Sequence, residues 1–366
     1  MATPNRHPPR ILVVGTGSIG IVYSMILARA GADLSCICRS NHTAATTTGF
    51  TVYSTIFGTE TFHPGAVYAS IDEAIQKSTK PYDFILVTTK AFPSREQGIN
   101  GSRSSPGSQS ETSSSSSSSR PHKPTAIVLI QNGLGIEREY RAHFPHNPII
   151  SCVAYLPTTQ TAPAVVHHTE VERLQLGMFP GAGSSGEQDP GGPSSCSSSA
   201  VTTLAGLLRA GGATAEIHAD IQIARWRKLI GNASWNPICA LSRCRDLEFL
   251  SQTPSSTREA AGRVTTPLAR EVVQRVMEEV VSVARAAGYA GDIGVDDVSM
   301  QLARSDSRSW PGVEPSMLAD VRAGRAMEVE AVLGEVVRVA REVGVEVPRL
   351  ECLYTLLLGL NWSLRK

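Results

Sequence analysis

A chain that passes from a short β-branched apolar run straight into closely spaced glycines has few folds open to it. Here RILVV (10–14) runs into GTGSIG (15–20), and a helical pattern follows as far as Ala30-Gly31. The run reads as a buried strand, since sheets covered on both faces take short continuous apolar segments. Strand, GxGxxG and helix in that order predict the first βα unit of a Rossmann-type sheet. Gly15 allows the tight turn, Gly17 lets backbone approach a pyrophosphate, and Gly20 lets helix and strand pack closely. Thr16, Ser18 and Ile19 complete the loop, whose backbone amides at the helix N-terminus face phosphate charge.

The strands that follow carry further ligand signals. LSCIC (34–38) ends at Arg39, where an acidic residue would take the ribose hydroxyls of NAD. An Arg there accommodates a 2′-phosphate, so the expected cofactor is NADP(H), with Ser40 and Asn41 able to add hydrogen bonds. A solvated strand-end charge is the plain alternative for Arg39. YDFILVTTKAF (82–92) reads as a buried strand with Lys90 just past its end, where open parallel sheets bind ligands. AIVLIQNG (126–133) is the next strand, and Asn132 at its end can reach both nicotinamide and substrate. Asn-Gly is also an ordinary turn pair. AVVHH (164–168) and RLQLGMF (173–179) read as an antiparallel pair near the sheet edge, followed by a short helix (201–211) and a strand near TAEIHA (214–219). Two low-complexity stretches, about 93–123 and 180–200, offer nothing to a core and read as loop insertions.

From about Asp220 the periodicity is helical: ARWRKLIGNASWN, 270–288, 320–344 and 350–360 carry apolar residues three and four apart. In WRKLIGNASWNP (226–237), Lys228, Asn232 and Asn236 recur every fourth residue. Each such step turns only about 40° around a helix, so an ammonium and two carboxamides share one stripe. That stripe suits a small polar substrate, with one proton donor and two orienting amides. A solvated polar side is the bland alternative. Pro237 should kink or stop the helix.

Composition narrows the partners. With 34 basic and 33 acidic residues, the 366-residue chain has no charge excess for nucleic acid. No apolar run reaches membrane length, and the N-terminus, read as a disordered leader over 1–9, has no apolar signal segment. Seven scattered cysteines fit neither a zinc site nor a disulfide framework and read as reduced thiols. Cytoplasm is the default expectation.

The ordered set of motifs resembles the ketopantoate reductases, or 2-dehydropantoate 2-reductases. GTGSIG, Lys90 and Gln131-Asn132-Gly133 resemble their cofactor and active-site motifs; KLIGNASWNP resembles their Lys-x3-Asn-x3-Asn-Pro signature. PSMLADVRAGRAMEVE (315–330) resembles the second signature, with Met327 where a small polar residue is usual. The resemblance implies a Rossmann-type α/β domain (10–219) followed by an all-α catalytic domain (220–366). It implies that Lys228 donates a proton to a ketone while NADPH delivers hydride. Asn132, Asn232, Asn236 and Ser316 would hold substrate oxygens, and Glu328 would position Lys228 or a substrate hydroxyl. Glu328 could instead be a solvated helix charge or pair with Arg325. The reaction implied is ketopantoate to pantoate, in pantothenate and coenzyme A biosynthesis. The partners implied are a 2-oxo acid and a second copy in a homodimer, with no metal, nucleic acid or membrane. A β-hydroxyacid dehydrogenase, a paralogue reducing another 2-oxo acid, and a non-catalytic NADPH-sensing module are the competing readings.

Overall fold

The computed structural model describes residues 7–92, 124–181, 195–251 and 267–365. The first serine-rich insertion lies outside these residues, as does most of the second. Among the described residues the strands are β1 (Arg10–Val14), β2 (Asp33–Ile37), β3 (Phe50–Ser54), β4 (Gly58–Phe62), β5 (Ala66–Tyr68), β6 (Phe84–Val87), β7 (Ala126–Leu129), β8 (Ile149–Tyr155), β9 (Thr158–Ala162), β10 (Val165–His168), β11 (Arg173–Phe179) and β12 (Ala215–Ile217). The helices of this half are α1 (Ser18–Arg29), α2 (His42–Thr47), α3 (Ile71–Lys77), α4 (Glu137–His143) and α5 (Ser195–Ala210).

Eight strands form one sheet in the order β12-β11-β8-β7-β6-β1-β2-β5. All neighbours are parallel except β11 against β8. The chain winds outward from β1 in both directions, so the loop after β1 sits at the reversal of strand order, where such sheets bind ligands. A second sheet, β4-β3-β10-β9, was not expected from the sequence. Its presence explains α1, whose residues from Gly20 to Leu27 are all buried. The helix packs against β1 and β2 of one sheet and β3, β9 and β10 of the other, so apolar residues surround it.

The expected pairing of 164–168 with 173–179 is corrected. β10 lies in the small sheet, parallel to β3 and antiparallel to β9, whereas β11 runs antiparallel to β8 in the large one. Local alternation identified both strands but carries no information about partners. The helix expected at 201–211 begins earlier, at Ser195, inside the stretch read as a loop.

The helical half holds α6 (Ile221–Ser242), α7 (Asp246–Ser251), α8 (Pro267–Ala284), α9 (Val295–Asp306), α10 (Ser316–Arg322), α11 (Glu335–Glu342) and α12 (Pro348–Ser363). Helix α6 does not stop at Pro237, which lies inside it. Interior proline costs roughly 3 kcal/mol. Burial of Ala233, Trp235, Ile238, Cys239 and Ala240 on either side offsets that. The single helix expected over 320–344 is broken. Gly324 takes a φ of +63°, and the Arg325 amide closes back on the Asp320 carbonyl at 2.8 Å. The Met327 amide donates to Asn361 Oδ1 at 2.8 Å, and a π-helical turn over Glu330–Gly334 precedes α11.

The chain divides into two compact units. The first ends at Ile221 and the second begins at Gln222. Ala91 and the segment Asn132–Ile136, although within the α/β half of the sequence, pack with the second unit. Each unit has its own apolar core, and Leu134 belongs to the helical one.

Candidate active site

In the first unit the glycines divide the work of the loop. Gly15 has a φ of +100°, and a Cβ there would lie 2.6 Å from Thr89 Cγ2. A Cβ on Gly20 would lie 2.3 Å from the Gly15 carbonyl oxygen. Both positions are closed by the fold itself. Gly17 is exposed, and among the described residues a Cβ there would meet no atom within 4 Å beyond its own chain neighbours. Open space at Gly17, beside the first amides of α1, fits a pyrophosphate. Ser18 and Ile19 are half-buried in that first turn, and helix geometry leaves their amides without intrahelical partners.

Two side chains near this loop serve structure instead. Thr16 is buried, and its hydroxyl donates to the Ile37 carbonyl at 3.3 Å and lies 3.0 Å from Cys38 Sγ. Only its backbone remains for a ligand. Asn41, considered above as a cofactor contact, is also buried. Its Nδ2 donates to the Thr16 carbonyl at 2.6 Å, and its Oδ1 accepts from Gln160 Nε2 and the Ala164 amide. It therefore ties the glycine loop to the small sheet. Arg39 and Ser40 are exposed at the end of β2, and Lys90 is half-buried beyond the end of β6.

The second unit gathers the side chains placed on the α6 stripe. Lys228 Nζ donates to Asn132 Oδ1 at 2.8 Å. The loop bearing Asn132 is fixed by backbone contacts: Leu134 N donates to the Ala331 carbonyl at 2.9 Å. Gly133, with a φ of +98°, would place a Cβ 2.4 Å from that same oxygen. Asn-Gly here is thus both a turn and a holder of the lysine.

Glu328 is buried and accepts from the Ala91 amide at 2.8 Å. It precedes the π-helical turn in non-helical backbone, and Arg325 pairs with Asp320 at 3.1 Å. Neither alternative for Glu328, a solvated helix charge or a partner of Arg325, matches this geometry. Met327 beside it is packed in the helical core. Its departure from the usual signature residue fills the interior.

Asn232 is half-buried, and its carboxamide makes no hydrogen bond among the described residues. Asn236 is committed on one side: Oδ1 accepts from Ser316 Oγ at 3.0 Å and from the Met317 amide at 3.1 Å, capping α10. Lys228, Asn132 and Glu328 thus form one group, while Asn236 and Ser316 form another.

Burial pulls Lys228 down to about 8 from an ordinary value of 10.5; the neighbouring Arg225 charge lowers it further and Glu328 opposes both. A lysine with its ordinary value, as expected from sequence, is therefore replaced by one poised closer to neutrality. Two residues on this face escaped the sequence reading. Arg225 is buried and donates to the Gly133 carbonyl at 2.8 Å. Trp235, seven residues after Lys228 and so on nearly the same stripe, buries an indole N–H with no partner among the described residues. Arg225 lies one turn before the stripe and Trp235 within it, and the spacing alone gives neither of them a partner.

Beside a glycine loop with open space at Gly17 and a part-buried lysine–amide pair near a buried carboxylate stand the comparisons with known proteins. Residues 11–181 match the family described as Ketopantoate reductase PanE/ApbA, and residues 220–361 match its C-terminal part. The Saccharomyces cerevisiae protein described as Uncharacterized protein YDL144C is 26% identical over 373 residues, covering 98% of this chain and 95% of that one. A crystal structure of 2-dehydropantoate 2-reductase from Methylococcus capsulatus is 31% identical, covers 98% of each chain and superposes with a TM-score of 0.73. A ternary structure of D-mandelate dehydrogenase with NADH and anilino(oxo)acetate has the same fold, at 18% identity and a TM-score of 0.72, covering 98% of this chain and all of that one. Both halves of the sequence and the whole of the fold point to one assignment: the chain belongs to the ketopantoate reductase family.

Proposed function

We propose that this protein reduces the ketone of a 2-oxo acid with NADPH, its substrate being 2-dehydropantoate and its product pantoate. The observation that carries the reading is the Lys228–Asn132 bond, with the uncommitted Asn232 carboxamide one turn along the same helix. NADPH, when bound, supplies the hydride to the carbonyl carbon. Lys228 Nζ gives a proton to the carbonyl oxygen as its double bond becomes single, and its charge stabilises the developing alkoxide. At a value of about 8 the ammonium is still mostly protonated at neutral pH, yet releases its proton more readily than an ordinary lysine. Glu328 offsets part of the burial penalty and keeps the donor charged. Asn232, and the Nδ2 donors of Asn236, orient substrate oxygens; Asn132 holds the lysine, and Ser316 holds Asn236.

For the cofactor, Gly15, Gly17 and Gly20 with the amides of Thr16, Ser18 and Ile19 would take the pyrophosphate. Arg39 would take the 2′-phosphate and Lys90 a further phosphate charge. The reaction belongs to pantothenate synthesis, in the cytoplasm on this reading. The experiment is a panel of 2-oxo acids with NADPH and with NADH, followed by loss of reduced-cofactor absorbance. Fastest turnover with ketopantoate and NADPH supports the proposal. Faster turnover with another acid reassigns the substrate, and no cofactor consumption with any acid sinks the reductase reading.

A further inference from the structure

Arg225 lies three residues before Lys228, on the neighbouring line of the same helix face. It is 3% exposed, a rare setting for a guanidinium without a purpose. Its Nη1 donates to the carbonyl of Gly133, the residue after Asn132, at 2.8 Å. Asn132 Oδ1 in turn receives the Lys228 ammonium at 2.8 Å. The far side of Gly133 is closed, because even a methyl group there would strike the Ala331 backbone. The loop is therefore gripped between the π-helical turn and Arg225.

We propose that Arg225 is a positioning residue for Lys228: it anchors Gly133, and through it the Asn132 oxygen that receives the ammonium, while setting a second positive charge beside that ammonium. Among the described residues the charges acting on Lys228 are Arg225, from its own helix, and Glu328, from the segment ahead of the π-helical turn. Two other acids on that turn and beyond are engaged elsewhere: Glu330 accepts from Tyr354, and Glu335 pairs with Arg338. Burial lowers Lys228 the most; of the two charges, Arg225 adds to that lowering and Glu328 opposes it. The inference rests on Lys228 being the proton donor of the proposed reduction.

The test has a readout that needs no substrate. Brief acetic anhydride labelling of the full-length protein across a pH series, with the Lys228 peptide quantified by mass spectrometry, gives the titration midpoint of Lys228. Wild type is expected to titrate near 8. Arg225→Gln, which removes the charge and most of the fork, should raise the midpoint by about one pH unit. It should also lower turnover on the order of tenfold, through misplacement of Asn132. Arg225→Lys keeps the charge but not the planar fork, so the midpoint should stay near wild type while turnover still falls. A wild-type midpoint near the ordinary lysine value overturns the proposal without any variant. So does an unchanged midpoint in Arg225→Gln, or an equal shift in Arg225→Lys. A wild-type midpoint near 8 with the expected shifts, but no turnover of any 2-oxo acid, would defeat the reductase reading and leave the Arg225 assignment standing.

Discussion

The glycine loop and the α6 stripe build their sites from opposite materials. In the loop, function depends on atoms that are missing: Gly17 has open space where a side chain would stand, and Gly15 and Gly20 have none to spare. Along α6, function depends on side chains, each held by another: Lys228 by Asn132, Asn132 by the gripped Gly133 turn, Asn236 by Ser316. A backbone site tolerates little change in shape but carries no titrating group. The side-chain site carries a tuned acid and depends on its neighbours for both pose and charge. Substitutions in the two regions should therefore fail in different ways.

The largest effect is expected at Lys228. Lys228→Ala removes the donor and the charge facing the alkoxide, which each contribute roughly 10²–10³-fold and overlap in one residue. Turnover should fall by at least about that factor while NADPH binding, followed by fluorescence, changes little. Retention of more than about a tenth of the turnover would place the donor elsewhere and erase the contrast.

Next in size is Arg39→Asp. Loss of a charge-assisted contact to the 2′-phosphate is worth roughly 1.5–3 kcal/mol, or about tenfold to a hundredfold in NADPH efficiency, with NADH affected far less. Equal use of NADPH and NADH by the unmodified enzyme would remove the basis for this prediction.

A paired glycine experiment sharpens the contrast. Gly17→Ala should leave the melting temperature unchanged, within about 0.5 kcal/mol of stability, because the protein has room for the methyl group. It should weaken NADPH about tenfold by occupying the phosphate's approach. Gly20→Ala forces the new Cβ against the Gly15 carbonyl and should lower stability by about 1–3 kcal/mol as well. Identical behaviour of the two variants would show that the open space at Gly17 is not where the cofactor lies.

Smaller still is Asn232→Ala, expected to raise KM for the oxo acid several-fold, roughly the loss of one neutral hydrogen bond, with turnover nearly intact. A fall in turnover at constant KM would make Asn232 part of the proton transfer. The smallest effect is in the pH profile. Because the protonated lysine is the donor, reduction should be flat below about 8 and decline above it as Lys228 loses its proton. A flat profile through pH 9 would argue against an acid with that value.

How much of this was legible in the sequence differs between the regions. The loop was read well, since RILVV and GTGSIG state strand, turn and helix locally, and the φ of Gly15 follows from that order. The spacing of Lys228, Asn232 and Asn236 likewise needed only helix periodicity. The side-chain partners of Thr16 and Asn41 could not be read locally, because Ile37, Gln160 and Ala164 lie 21, 119 and 123 residues away along the chain. Arg225 was passed over for the same reason: its meaning lies in a carbonyl 92 residues away.

What the sequence by itself determined was the class of fold and the lining of the α6 stripe, since both follow from local periodicity and the steric freedom of glycine. Tertiary structure alone decided the rest. It assigned β10 and β11 to different sheets, carried α6 through Pro237, and broke 320–344 so that Glu328 leaves the helix and accepts from Ala91. It also lowered Lys228 towards neutrality. The physical reason is common to all four: burial and long-range hydrogen bonding outweigh local preference, and neither is written in the spacing of neighbouring residues.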